Sequence, residues 1–382
     1  MTANEFILLI ILLTLAIMVI ILLISRRKIP VDPKSLLLYA QALNHMLRKE
    51  YEQAVKELRA IIDKDTSHVD AYIKLGNLQR EIGKLKVAVK IHQNLLYRQD
   101  ISKTQRLDVM CNLVEDYIQM NEKGIALSVA LNILDFDKKN LWALEKTWLL
   151  YRDLKKWAKA TEYLEKLLHQ RRETNKRLVA IYKVQEGLDL FEGGNYHDAR
   201  LIFRKAIKID PTCEAPYYYY AESYVKNHRE AEAVDWWVQF SEVAPDKAWM
   251  VFNPLQKILF NLGNFNKIED FYLSILKHKP GDVRTITALA NFYERKGDMD
   301  KAEELVEELM DANPNSTIAK IAYCKIMVAL KREREISDIL NDILYKFDVV
   351  EQVTCTHCGH TANEILWICP VCGTADSFMI QS

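Results

Sequence analysis

Glycine is scarce: 11 residues in 382, and with 9 prolines no Gly/Pro/Ser-rich stretch occurs anywhere. A chain of this length exceeds one compact core, and with no linker to separate globules it reads as an extended array of small units. An excess of one charge sign is also missing. The 52 basic residues are matched by 52 acidic ones, so the concentrated positive surface that nucleic acid requires is absent and nucleic acid is set aside as a partner. No serine elbow, phosphate loop, HExxH or convergent acid pair occurs, which leaves an active site without a carrier. We therefore read the chain as a non-enzyme with no small-molecule substrate. Cysteine is sparse, at seven. Cys111, Cys213 and Cys324 stand about a hundred residues apart in helical patterns and read as buried, reduced thiols.

The other four cysteines form the sharpest motif: Cys355-Thr356-His357-Cys358-Gly359, ten residues from Gly359 to Ile368, then Cys369-Pro370-Val371-Cys372-Gly373. Each CxxC turn aims two thiolates at one point, and the glycine after it can take the positive φ that turns backbone amides toward the sulfurs. Cys355, Cys358, Cys369 and Cys372 are the expected ligands of one tetrahedral ion, zinc or a single iron. Two disulfides or two chance turns are the bland alternative, weakened by the glycine in both halves. His357 and His360 flank a complete shell and read as bystanders. An odd cysteine total with four in metal spacing fits a reducing compartment.

From Phe6 to Ile24 every residue but Thr14 is apolar, followed by Arg26, Arg27 and Lys28. A helix of that length is close to the roughly 30 Å of a bilayer core. The expectation is a short extracytoplasmic tail (1–5), a transmembrane helix (6–25) and a basic juxtamembrane segment (26–34). Residues 1–5 hold no Lys or Arg, so the positive-inside rule faces the bulk of the chain to the cytoplasm.

Between residues 35 and 348 small residues recur at Ala54, Ala88, Ala126, Ala160, Ala199, Ala233 and Ala302, with Ile268 and Ile336 in the same phase, at steps of 34 to 39. Twelve residues before each stand Ala42, Gly76, Val114, Trp148, Gly187, Ala221, Gln256, Ala290 and Cys324. Twelve residues after, four consecutive units place Pro211, Pro245, Pro280 and Pro314, where a second helix must stop. A period near 34 with this pattern resembles the tetratricopeptide repeat. The predicted fold is an all-α solenoid of about nine such helix pairs, ending in a small rubredoxin-like or zinc-ribbon metal module over 349–382. Longer turns are expected around Arg98 to Gln105 and Arg171 to Lys176, where the step lengthens.

Groove residues of such a solenoid come from the first helix of each pair. By register Tyr39, Asn77, Arg80, Tyr218, Glu222 and Asn291 are the candidate partner-binding positions, with Ile73, Val184, Phe191 and Glu294 beside them. Tyr217 and Tyr220 fall in core phase, leaving Tyr218 as the surface member of that tyrosine run. The acidic stretch 298–311 and the basic stretch 152–177 read as solvated helix faces.

The order of parts, together with Leu75-Gly76-Asn77-Leu78, Ile91-His92-Gln93, Gln105-Arg106-Leu107, Asp116-Tyr117 and the tail Leu366-Trp367-Ile368-Cys369-Pro370-Val371-Cys372, resembles the lipopolysaccharide assembly protein B family. The resemblance implies a cytoplasm-facing regulator in the inner membrane, acting with a membrane AAA+ protease to set the amount of the deacetylase that commits lipid A synthesis. It also implies rubredoxin-like iron in the four-cysteine site, although zinc satisfies the same sulfurs. The expected mechanism is a tethered adaptor, with the metal knuckle capping the array on its last helices. A scaffold for envelope enzymes without proteolysis is the alternative. A membrane-bound electron carrier is weaker, because ten residues between knuckles cannot build a rubredoxin's aromatic core and Trp367 alone substitutes poorly.

Overall fold

A computed structural model describes residues 14–15, 17–18, 33–345 and 353–380. The apolar span anticipated at 6–25 lies outside these residues apart from four helical positions, and among the described residues no helix is long and apolar enough to cross a membrane. Eighteen α-helices fill 33–345 among the described residues, and they fall into two compact units divided at Lys138/Lys139.

The first unit holds three helix pairs: α1 (Pro33–Leu47) with α2 (Tyr51–Lys64), α3 (Val69–Glu81) with α4 (Leu85–Leu96), and α5 (Lys103–Gln119) with α6 (Lys123–Phe136). The second unit continues with α7 (Leu141–Asp153), α8 (Trp157–Arg171), α9 (Lys176–Glu192), α10 (Tyr196–Ile209), α11 (Ala215–Lys226), α12 (Glu230–Val243), α13 (Phe252–Asn261), α14 (Phe265–His278), α15 (Val283–Lys296), α16 (Met299–Ala312), α17 (Thr317–Ala329) and α18 (Ser337–Tyr345). Short 3₁₀ turns at Pro245–Val251 and Glu333–Ile336 lead into α13 and α18. Three short strands follow, β1 (Val353–Cys355), β2 (Thr361–Ala362) and β3 (Phe378–Ile380), in an antiparallel sheet of order β2-β1-β3.

The repeat register is written in the packing. All nine positions of the Ala54 series are buried, Ile336 being the most exposed at 2%. Of the nine positions twelve residues earlier, only the two largest or most polar, Trp148 and Gln256, escape full burial. Close approach explains the small residues. A Cβ added at Gly76 would lie 2.4 Å from Nε2 of His92, and one at Gly187 would lie 2.4 Å from the Phe203 ring. The prolines act as anticipated: α10, α12, α14 and α16 each end two residues before Pro211, Pro245, Pro280 and Pro314. The two long steps are absorbed partly in turns and partly in α5 and α9, which run to 17 residues each. Ser102 opens α5 with a capping box, its hydroxyl accepting from Gln105 N–H while its own N–H donates to the Gln105 side chain.

One element of the repeat escaped the sequence pattern. Between first and second helix every pair passes through a single residue of positive φ: Lys49, Gly83, Asn121, Lys155, Gly194, His228, Gly263, Gly297 and Lys331, at 54° to 85°. Each closes its helix by a backward bond from the next residue, such as Lys84 N–H to Gln79 O at 2.8 Å and Asp298 N–H to Tyr293 O at 2.9 Å. This is the left-handed C-terminal cap that glycine favours. Five of the nine are other residues, so no glycine period betrays the turn.

Candidate metal centre and its dock

The four predicted cysteines converge. Their Sγ atoms all lie within 4.8 Å of one another, and Cys355–Cys372 and Cys358–Cys369 stand 3.7 Å apart. A tetrahedral ion with metal–sulfur bonds of about 2.3 Å sets its ligands about 3.8 Å apart. The spacing thus fits such an ion, and it is far too long for a disulfide, whose sulfurs lie about 2 Å apart. Both knuckle glycines take the anticipated left-handed backbone, Gly359 at φ 74° and Gly373 at φ 70°. Each donates its N–H to the carbonyl of its knuckle's first cysteine at 2.9 Å.

The surroundings favour thiolate. The Ser377 hydroxyl, 3.1 Å from the Cys355 sulfur, holds that thiol down to about 6, and the Thr374 hydroxyl, 3.2 Å from Cys372, lowers that one too. Cys358 shifts the opposite way, to about 12: the His360 backbone N–H favours its thiolate, but desolvation and the crowded sulfurs outweigh it. Four anionic sulfurs at this range repel one another without a cation between them. His360 contributes its carbonyl to Cys355 N–H and its ring to an edge contact with Phe378, and neither it nor His357 joins the sulfur cluster.

The module does not cap the last helices. It lies instead across the first helices of the fourth to sixth repeats and the 3₁₀ turn that opens the seventh, and that expectation is corrected. Arg177 on α9 donates from Nε to Asp376 at 2.8 Å and from Nη2 to buried Glu214 at 2.7 Å, and Lys247 bridges the same two carboxylates. The Lys247 ammonium also stands 4.6 Å over the Trp367 ring. A Cβ added at Gly373 would strike the Arg152 guanidinium of α7 at 2.6 Å. Two members of the basic stretch 152–177 therefore meet the module instead of solvent. Burial pushes the Asp376 carboxyl up, but Arg177 and Lys247 outweigh it and hold it below the ordinary value.

This placement answers the shortage of aromatic core between the knuckles. Trp367 and Phe378, 3% and 4% exposed, pack in one cluster with Phe203, Phe191 and Tyr219 from the solenoid. The repeats supply the rings that the short module lacks. The chain folds this way because charged and aromatic partners on α9 and α11 face an otherwise half-built metal core.

The groove candidates divide accordingly. Tyr218 is half-buried against Tyr219 and Phe240, and Glu222 beside it is pushed up by burial. Module residue Glu364 is near enough to Tyr218 and Tyr219 to add to the upward push of burial on their hydroxyls. Tyr217 and Tyr220 are buried as expected, whereas Val184 and Ile73 are buried in the core instead of lining a groove. Tyr39 packs its ring 5.2 Å from His68. Asn77 and Arg80 belong to an internal network: the Arg80 guanidinium donates to Asn77, Asn112 and, at 2.8 Å, Asp116, whose other oxygen pairs with His92 at 2.6 Å. Asp116 and His92 are fully buried. Asn291 lines an open cavity on α15, with Glu294 held nearby by Lys325.

A tetratricopeptide-repeat family profile matches residues 285–317. Across its length the chain is similar to lipopolysaccharide assembly protein B of Escherichia coli strain K12, 21% identical over 341 residues that cover 87% of this chain and 86% of that one. The Haemophilus influenzae protein of the same name is 23% identical over 346 residues, 87% of each chain. Among solved structures, a tetratricopeptide repeat protein from Parabacteroides merdae covers 78% of this chain at 17% identity with a TM-score of 0.36.

Proposed function

We propose that this chain, which belongs to the lipopolysaccharide assembly protein B family, is a non-catalytic adaptor in lipopolysaccharide assembly that brings the lipid A-committing deacetylase to a membrane AAA+ protease. Likeness over 87% of the chain to two proteins named for lipopolysaccharide assembly supports the process. The deacetylase and the protease come from the resemblance read in the sequence. In this reading the apolar run from Phe6 to Ile24 anchors the adaptor in the inner membrane with its repeats toward the cytoplasm, where confinement to two dimensions raises effective concentration without new contacts. The metal of the four-cysteine site is structural in this reading, with iron preferred over zinc by resemblance alone.

The observation that carries the reading is the dock. Gly373, Trp367 and Asp376 meet residues from Arg152 to Lys247, across the fourth to seventh repeats, and in this reading an ion in the module stabilises a protein-binding surface in place of serving as a redox centre. Affinity capture of the full-length protein from gently solubilised native membranes, followed by mass spectrometry, is the test. Co-recovery of a AAA+ protease and the deacetylase supports the adaptor. Recovery of envelope enzymes with no protease turns the reading to a scaffold, and recovery of electron-transfer partners alone sinks both.

A further inference from the structure

The first repeat opens the array, and among the described residues α1 has no second helix of an earlier pair to pack against. Register shows what this leaves bare. Leu37 stands five residues before the small position Ala42, and the same position in the other eight repeats, from Ala71 and Val109 to Thr285 and Ala319, is buried throughout. Leu37 itself is 60% exposed. The position five residues after the small one is exposed in every repeat and polar in seven of the other eight, as at Glu81, Gln119 and Asp153. In the first repeat it is Leu47, 83% exposed. Leu36, also 60% exposed, stands where the next two repeats carry Asp70 and Asp108. At about 100° per residue Leu36, Ala40 and Leu47 form one stripe along α1 with Leu37 beside it, and all four are exposed. The opposite side packs into the core of the first pair through Leu38 and Ala42. No Asp or Glu occurs in α1. Arg48 and Lys49 follow Leu47 and are exposed, and Glu50 after them pairs with His45.

The occupant of this bare face follows from where the chain is tethered. Residues 25–32 alone separate α1 from the apolar run that ends at Ile24. Fully extended, they cannot carry the start of α1 more than about 30 Å from the point where that run leaves the bilayer. A helix held at such range with protruding leucines, no carboxylate and basic residues at its end has the character of one that lies in a membrane interface. Its leucines enter the acyl boundary while arginine and lysine reach anionic headgroups. A first repeat that faced water would need a polar outer surface instead. We propose that the exposed face of α1, carried by Leu36, Leu37 and Leu47, seats on the lipid surface beside the anchor. The inference rests on the reading of residues 6–24 as an anchor and goes beyond it, because an anchor alone leaves the first repeat free on its tether, whereas a seated α1 fixes that repeat against the bilayer.

The test uses the full-length protein in nanodiscs of phosphatidylethanolamine and phosphatidylglycerol, with the photoreactive residue p-benzoyl-phenylalanine placed at Leu37, at Leu47 or, as the control, at Phe136, half-exposed at the end of α6. All three side chains are exposed, so the fold is not at risk. After illumination, mass spectrometry of the intact protein is expected to find lipid adducts at Leu37 and Leu47 at least about tenfold more often than at Phe136, the partition that one buried leucine side chain gives. Lipid adducts missing at both leucines, or as frequent at Phe136, overturn the inference. Crosslinks that join two copies of the chain in place of lipid overturn it in favour of an interface between copies. Protein that elutes apart from the discs sinks the anchor reading and this inference with it, whereas disc-bound protein without adducts sinks this inference alone. The adaptor reading fails separately, when wild-type protein captures neither protease nor deacetylase.

Discussion

The Asp376 carboxylate accepts a hydrogen bond from Nε of Arg177 at 2.8 Å, across 199 residues of chain. Asp376 itself has a left-handed backbone at φ 52° and donates its N–H to Trp367 O at 2.8 Å, which aims the carboxylate at α9. Both partners are about one third exposed, so solvent screening keeps the pair modest. Arg177→Ala should weaken the dock by about 1–2 kcal/mol, more than an open surface pair because it also leaves buried Glu214 with Lys247 as its one cation in place of two. Faster amide hydrogen exchange across 353–380, with exchange in α1–α6 unchanged, is the expected reading.

The same pair sets a pH window. Asp376 is held below its ordinary value of 3.8, so its contribution to the dock is full above that pH and is lost as the pH falls through the lowered folded value. Asp376→Asn should match the wild type's acid-weakened dock and lose this acid sensitivity. An exchange profile that steepens identically with acid in both proteins would rule Asp376 out as the source.

Removal of the ion, by chelation or by Cys369→Ser, should release the module and expose Trp367, because binding energy at a four-thiolate site is folding energy. The neighbouring face of α9 and α11 should then gain exchange, while the first unit keeps its own. A Cys369→Ser protein with an unchanged exchange map would show that the module holds its place without the metal.

Gly187→Ala tests the close approach of α9 and α10. The added methyl meets the fully buried Phe203 ring at 2.4 Å, so the helices must part or the ring must leave its rotamer. Overpacking of this kind costs about 1–3 kcal/mol. Denaturant unfolding followed by circular dichroism should register it, and Phe203→Leu in the same chain should recover part of the loss.

Asp116 is fully buried between Arg80 and His92. Asp116→Ala leaves a largely buried guanidinium without its carboxylate and should cost about 3–5 kcal/mol, whereas an exposed acid such as Glu308 should cost almost nothing. A thermal melt in which Asp116→Ala stays at the wild-type midpoint would contradict a structural role for the network.

Residue order alone was enough to read the repeat, its register and the four cysteines that converge. Packing of helix on helix demands small residues at fixed intervals, as Ala54 to Ile336 show, and four thiolates in CxxCG spacing need only local turns to converge. It did not reveal the positive-φ turns at Lys49, Asn121, Lys155, His228 and Lys331, because the tertiary clamp of two packed helices overrides the local preference for glycine. Tertiary structure alone decided where the module sits. Arg177 with Asp376 and Lys247 with Trp367 are more than a hundred residues apart, and no local rule relates such positions. Covalent order puts the knuckles beside the last helices, but burial of Trp367 and Phe378 and pairing of Asp376 are satisfied only on the fourth to seventh repeats, where the complementary charges and rings stand.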